Sequence, residues 1–392
     1  MSRRAGLAAL LLAGSACAGC NVPHPFTVRH GPAGSPATAT ATAATATAPS
    51  SPVALVTPGP DGLRVLHLGD FGERTPQQAA VANAAAALHA RANFAVALFA
   101  GDLLYPCGPD ASRPGAEACT FAPDDNTVAT PPAGPPDPAF ADLHERPLAG
   151  LRQGRPPRIL LALGNHDVYS RFGCGVPALS AEATARRKAC LNVAHATPLW
   201  SLPARHYVVD EGPARFVVLD SNTVYADYGG FTLGAELDFL AGALEGCERR
   251  ACFVLLHHPP VAAGVHVKDF ESPALVARMA RLEAVAGGRI RAWLAGHDHD
   301  LQHLRTSRGV DVLISGNGAT ARPSERFERT APSGTLLFAS TAWGLGVLTV
   351  RPDGWDYRFE ETQGRPLHCC AASGAGRCEP VACAPATPAT PR

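Results

Sequence analysis

The chain has 392 residues, enough for one large domain or two ordinary ones. Its 34 Lys and Arg balance 34 Asp and Glu, so the formal net charge is zero and gives no support for a nucleic-acid-binding surface. Ala, Gly and Pro are abundant and Lys is scarce, so most positive charge is Arg. Arg3 and Arg4 make a basic start, and Ala5 to Ala16 is apolar but too short to span a bilayer as a helix.

That start runs into Ser15-Ala16-Cys17-Ala18-Gly19-Cys20. Residues 1–20 thus resemble a bacterial lipoprotein signal, with Ala-Gly before a lipidated Cys20. Cys17 stands where an aliphatic residue is usual, and a plain secretory signal is the alternative. Either reading sends the protein out of the cytoplasm. The expected location is the cell envelope: anchored in the outer or cytoplasmic membrane by lipid, or periplasmic or secreted. Residues 21–62 are dominated by Ala, Thr and Pro with almost no charge, and read as a flexible tether.

The folded domain is expected over 63–362. Arg64 to Leu68 is a short strand ending in Gly69-Asp70-Phe71-Gly72. Thr75-Pro76 then opens a helix as N-cap and first helical residue, and Gln77 to Arg91 continues it. Phe94 to Ala100 is a second apolar strand, ending in Gly101-Asp102-Leu103-Leu104-Tyr105. Pro106 to Pro138 reads as a long loop beside a site. Arg158 to Leu163 is a strand ending in Gly164-Asn165-His166-Asp167. Two strands follow across the turn at Asp210 to Pro213, then a helix from Leu233 to Leu244 with Gly246 as its stop. Cys252 to Leu256 ends in His257-His258, and Ser272-Pro273 caps an amphipathic helix. Arg291 to Ala295 ends in Gly296-His297-Asp298-His299, and the remainder reads as β up to a Cys- and Pro-rich tail, 363–392.

Ten cysteines lie beyond the signal. Six fall into local pairs, Cys107/Cys119, Cys174/Cys190 and Cys247/Cys252, and four crowd the tail at 369, 370, 378 and 383. An even count in an exported chain reads as disulfides. A zinc knuckle in the tail is the rival, but Cys369-Cys370 lacks the Cys-x-x-Cys spacing of a chelate.

Five strand ends therefore carry Asp70; Asp102 with Tyr105; Asn165 with His166; His257; and His297 with His299. Each alone reads as an ordinary turn or a satisfied core histidine. Five together, all oxygen or nitrogen donors, read as a metal centre. Their order, Gly-Asp-x-Gly, Gly-Asp-x-x-Tyr, Gly-Asn-His-Asp, Val-x-x-His and Gly-His-x-His, resembles the purple acid phosphatases, most of all the short tartrate-resistant type, within the calcineurin-like metallophosphoesterases. The run Gly296 to Leu304 is very similar to that group.

The resemblance implies an α/β fold, a four-layer αββα sandwich of two mixed β-sheets flanked by helices. It implies a ferric ion on Asp70, Tyr105, His299 and one oxygen of Asp102. A second, divalent ion (Fe, Zn or Mn) would take the other Asp102 oxygen, Asn165, His257 and His297. Phenolate and carboxylate suit Fe(III), and Asn and imidazole suit a divalent ion. His258 stands where the mammalian enzymes have a tyrosine, which leaves the ligand between His257 and His258 open. His166 and His266 are the expected catalytic histidines, positioning the ester or protonating the leaving alkoxide. The implied activity is acid phosphatase: hydrolysis of small phosphate monoesters by a metal-bound hydroxide, with no nucleic-acid partner. Phosphodiesterase or nucleotide hydrolysis at the same metals is the alternative, and a non-enzymatic envelope lipoprotein the alternative outside enzymes.

Overall fold

The structure, a computed structural model, describes residues 62–383 apart from 322–326, 328 and 329. The expected signal with Cys17 and Cys20, the tether up to residue 61 and the tail beyond Cys383 lie outside the described residues.

Two seven-stranded mixed sheets pack face to face, with helices outside. Neighbour to neighbour, the first runs Glu379–Val381, Pro366–Ser373, Gly354–Glu361, Gly344–Arg351, Leu63–Leu68, Val96–Ala100 and Arg158–Ala162. The second runs Gly334–Ser340, Leu301–Thr306, Asp311–Ser315, Ala292–Ala295, Ala251–Leu255, Ala214–Val218 and Tyr207–Glu211. Strand periodicity explains the layering. Phe253, Leu255, Leu294 and Leu313 point into the core shared with the first sheet. Their alternates Val254, Trp293, Val312 and Ile314 point outward. There they meet Leu237 and Leu240 of the helix Leu233–Ala243, and Met279 and Leu282 of the helix Pro273–Ala286. Across the sandwich Phe253 meets Trp355 edge to face at 5.4 Å.

The strands that carry the donors pair in parallel: Leu63–Leu68 with Val96–Ala100, that strand with Arg158–Ala162, and Ala251–Leu255 with Ala292–Ala295. Parallel strands bring their C-terminal ends to one edge, where α/β sheets build sites. The helix Pro76–Ala92 makes the first crossover, and Thr75 Oγ1 accepts from Gln78 N–H at 3.0 Å as its cap.

Several details differ from the sequence reading. The first four domain cysteines pair crosswise, Cys107–Cys174 and Cys119–Cys190, not within their own segments. The two insertions lie side by side, so each disulfide ties one to the other. Cys247–Cys252 pairs as expected. The tail cysteines form Cys369–Cys383 and Cys370–Cys378, so their thiolates are spent in disulfides and a zinc knuckle has no ligands. Tail residues Pro366–Ser373 and Glu379–Val381 extend the first sheet and are continuous with the domain. The stretch 106–138 is not one bare loop. It holds a small ladder, Thr120–Phe121 with Val128–Thr130. Gly246 does not stop the helix Leu233–Ala243 but sits in the 3₁₀ turn Leu244–Glu248 that follows.

Candidate metal centre

Each donor sits on the first residues past a strand. Asp70, Asp102 and His297 all adopt left-handed backbone, at φ 54°, 52° and 72°. That conformation is unfavourable for side chains with a Cβ, and it recurs at functional sites. Neighbouring glycines leave room for the carboxylates. A Cβ on Gly164 would lie 2.2 Å from Asp102 Oδ1, and one on Gly296 would lie 2.5 Å from Asp70 Oδ2.

The structure brings Asp70, Asp102, Tyr105, Asn165, His257, His297 and His299 together, all but Tyr105 buried. They fall into two groups that share Asp102. In the first, the Tyr105 hydroxyl is 2.7 Å from Asp102 Oδ2, 3.1 Å from Asp70 Oδ1 and 3.0 Å from His299 Nε2. In the second, His257 Nε2 is 3.0 Å from Asn165 Oδ1, 3.4 Å from Asp102 Oδ1 and 3.2 Å from His297 Nδ1.

The proton inventory of these atoms fits a cation in each group. His257 Nδ1 and His299 Nδ1 face the carbonyls of Ala100 and Thr320 at 2.7 and 2.9 Å. Carbonyls only accept, so both Nδ1 atoms carry hydrogen, and in the neutral rings that bind metal both Nε2 atoms present lone pairs. His297 Nε2 faces the Asp269 carboxylate at 3.3 Å, which turns the Nδ1 lone pair inward. His257 Nε2, His297 Nδ1, Asn165 Oδ1 and Asp102 Oδ1 are then four acceptors with no hydrogen among them. In the first group one phenolic hydrogen faces three acceptors. Both sets repel internally unless positive charge sits between them.

Electrostatics point the same way. Burial raises the Asp70 carboxyl to about 7, with the charge of Asp102 adding to the rise and His257 opposing it. Burial also opposes the Asp102 charge, but the His257 and His166 imidazoles and the Tyr105 hydroxyl hold its carboxyl below the usual range. Burial and the nearby His266 keep the His297 imidazole neutral, well below its ordinary value. Neutral imidazole is the form that binds metal.

His257, His258 and His297 offer nitrogen atoms within 4.8 Å of one another, and His257 and His258 differ in orientation. His257 reaches the shared Asp102 and Asn165. His258 Nδ1 faces Ser221 Oγ at 2.9 Å, and its ring packs on Tyr225 with centroids 4.0 Å apart. His166 and His266 stand at the rim, both partly exposed. His166 Nδ1–H donates to Pro106 O at 2.6 Å, and its Nε2 lies 3.9 Å from Asp102 Oδ2. His266 Nδ1 is 3.0 Å from Asp269 Oδ2, with its ring 3.8 Å from that of His297.

Several supporting residues escaped the sequence reading. Asp167 accepts from Leu103 N–H, Leu104 N–H and Gly164 N–H at 2.8, 3.0 and 2.7 Å, clamping two donor loops. Asp298 accepts from the backbone N–H of Gly264 and His266, both at 2.9 Å. Ser221 Oγ accepts from the backbone N–H of His257 and His258 at 3.1 and 3.0 Å. The signal for Ser221 was present, because Asp220-Ser221-Asn222 also follows a strand at this edge. Asp269 and Tyr225 carried no such signal.

The model of the calcineurin-like phosphoesterase family matches residues 63–301. Human tartrate-resistant acid phosphatase type 5 is 33% identical over 136 residues, 34% of this chain and 40% of that protein. The rabbit (Oryctolagus cuniculus) enzyme is 33% identical over 82 residues, 20% of this chain and 25% of that protein. The chain thus matches 40% or less of the length of these two relatives. A purple acid phosphatase from yellow lupin seeds superimposes with TM-score 0.55 at 14% identity, covering 82% of this chain and 55% of that one. GAP50, described as the anchor in the inner membrane complex of Plasmodium, superimposes with TM-score 0.57 at 15% identity, covering 78% and 87%. At those identities the likeness to both structures is one of fold alone. The family match takes in all five donor-bearing strand ends, and the chain belongs to the calcineurin-like phosphoesterase family.

Proposed function

We propose that this chain is a dinuclear-metal acid phosphatase that hydrolyses phosphate monoesters in the bacterial cell envelope. The observation that carries the reading is the convergence on Asp102 of two acceptor groups, one with no hydrogen among its four acceptors and one with a single phenolic hydrogen facing three. Asp70, Tyr105, His299 and one oxygen of Asp102 would hold a ferric ion. The other oxygen, Asn165, His257 and His297 would hold a divalent one, Fe, Zn or Mn. Such ions, when bound, supply Lewis acidity toward phosphate oxygens and an activated water.

The chain's own residues do the rest. Ala100 O, Thr320 O and Asp269 fix the imidazole tautomers, so the donor atoms are pre-aimed. The Pro106 carbonyl holds the His166 ring with Nε2 toward the site, placed to give a proton to the leaving alkoxide. His266, steadied by Asp269, lies beside His297 on the opposite group and positions the phosphate. Monoesters are the substrates this reading favours, and the insertion tied by Cys107–Cys174 stands on the His166 side. An oxidising compartment is supported by the five disulfides among the described residues. Lipidation at Cys20 anchors the domain through the tether, and a Cys20→Ser protein should leave the membrane fraction with its activity intact.

The test of the activity is metal content and a visible spectrum of the purified protein, followed by a panel of esters on that sample. The expected result is two metal ions per chain and faster turnover of monoesters than of diesters. Faster diester turnover would favour the nucleotide or phosphodiester alternative. A protein that binds no metal would leave only the fold as a scaffold.

A further inference from the structure

Four rings form a ladder from the metal centre to solvent. Centroids are 4.3 Å apart from Tyr105 to His166, 5.1 Å from His166 to Tyr169 and 6.1 Å from Tyr169 to Phe172. Tyr105, His166 and Tyr169 are half-buried, and Phe172 is 57% exposed, the most of the large hydrophobic side chains among the described residues. Exposing a phenyl ring forgoes its burial energy, so Phe172 adds nothing to the core.

This outer segment is nevertheless held firmly. Phe172 adopts left-handed backbone at φ 53°, unfavourable for a bulky side chain. The Cys107–Cys174 disulfide closes the segment onto the stretch after Tyr105. Pro106 O, which fixes His166, also lies 3.9 Å from Cys174 Sγ. Beneath, buried Lys188 donates from Nζ to Cys107 O at 2.7 Å, to Cys174 O at 2.6 Å and to Tyr169 O. One buried ammonium thus binds three carbonyls of the two segments that meet at the ladder. Such fastening is preorganisation, which lowers the entropy lost when a ligand settles on a surface.

Resting on the phosphatase reading above, we propose that Tyr169 and Phe172 form a stacking wall for an aromatic leaving group, making aryl phosphate monoesters the preferred substrates. His166 faces the ester oxygen that departs. A planar ring attached to that oxygen continues outward along the ladder and lies against Tyr169 and Phe172. Stacking of this kind favours an aryl over an alkyl group by about three- to tenfold. Lys188 and the Cys107–Cys174 disulfide are positioning elements that keep the wall in place.

The test is calorimetric binding to the metal-loaded protein of phenylphosphonate, propylphosphonate and inorganic phosphate, none of which has an ester to cleave. Wild type should bind phenylphosphonate about fivefold tighter than propylphosphonate. Phe172→Ala and Tyr169→Ala should bring that ratio near one, while inorganic phosphate, too short to reach the wall, shifts less than twofold. Phe172→Leu, which keeps apolar bulk without the ring, should also lose most of the preference and guards against a folding defect in the alanine variant. An unchanged ratio in all three variants, with phosphate still bound, overturns the wall and leaves the phosphatase reading intact. Failure of wild type to bind inorganic phosphate overturns that reading, and the wall with it.

Discussion

Asp269 Oδ2 lies 3.3 Å from His297 Nε2, on the side of the ring away from the donor cluster. The Tyr225 hydroxyl donates to the same oxygen at 2.8 Å, and His266 Nδ1 is 3.0 Å away. Burial opposes the charge, yet the hydrogen bonds from His266 and His297 hold this carboxyl well below the usual range. An ionised Asp269 keeps hydrogen on His297 Nε2 and its lone pair on Nδ1. Asp269→Ala should weaken the ion held by His297 by about 10- to 100-fold and spare its neighbour. Competition with a chelator of known affinity measures this, and equal affinity in variant and wild type would sink the assignment.

His166 is the rim histidine whose Nε2 faces Asp102. His166→Ala should keep both metals and the fold but lose on the order of 10²-fold in turnover, as for a missing general acid. Esters with good leaving groups, such as nitrophenyl phosphate, need less protonation and should lose less. A loss of the same size across all leaving groups would assign His166 to phosphate positioning instead.

Tyr105 is the residue whose oxygen meets Asp70, Asp102 and His299 together. A phenolate on ferric iron absorbs visible light, so the iron-loaded, oxidised protein should be pink to purple. Tyr105→Phe keeps the ring against His166 but removes the oxygen. Colour should vanish, iron should be held less tightly, and activity should fall only in part. A colourless wild type carrying its full ferric complement would refute the ligand role.

His144 gives the fold a built-in acid sensitivity. Its ring is buried against Phe99 and Trp200, with centroids 4.8 and 5.0 Å away. Burial, reinforced by nearby His195, lowers it from 6.5 to about 3. The unfolded chain therefore binds this proton below pH 6.5, and the folded chain does not until about pH 3. Stability is full above pH 6.5 and falls as pH drops from there toward 3. At pH 4.5 the loss from this residue is roughly 2–3 kcal/mol, from about 1.4 kcal/mol per pH unit. Buried His67 is lowered to about 3 by the same cause, so His144→Phe should lessen, by this residue's share, the dependence of the urea midpoint on pH between 7 and 4.5. Parallel dependence in the two proteins would show that His144 does not set it.

Much of the site was legible because strand and turn are local. The apolar run before Asp102, the glycine that permits its backbone, and the tyrosine three residues on are all written within a dozen positions. The same holds for Asn165, His257 and the pair His297 and His299. Parallel pairing then follows from strand–helix–strand order, and parallel strands deliver their ends to one edge.

Relations between segments distant in the chain needed the tertiary structure. Cys107 has Cys119 nearer in sequence, but disulfides form by proximity in space, and packing of the two insertions sets it 5.2 Å from Cys174, Cα to Cα. Asp269 looks like any surface acid until folding sets it behind His297. Phe172 looks like a stray apolar residue until Lys188, fourteen or more positions away from each carbonyl it binds, fixes the segment beside His166. Sequence determined which side chains could act as donors and at which strand ends they would emerge, because backbone preference and periodicity are short-ranged. Tertiary packing decided which atoms carry hydrogen, which cysteines meet and which rings line the mouth. Those depend on distances of a few ångströms between residues that the chain itself keeps far apart.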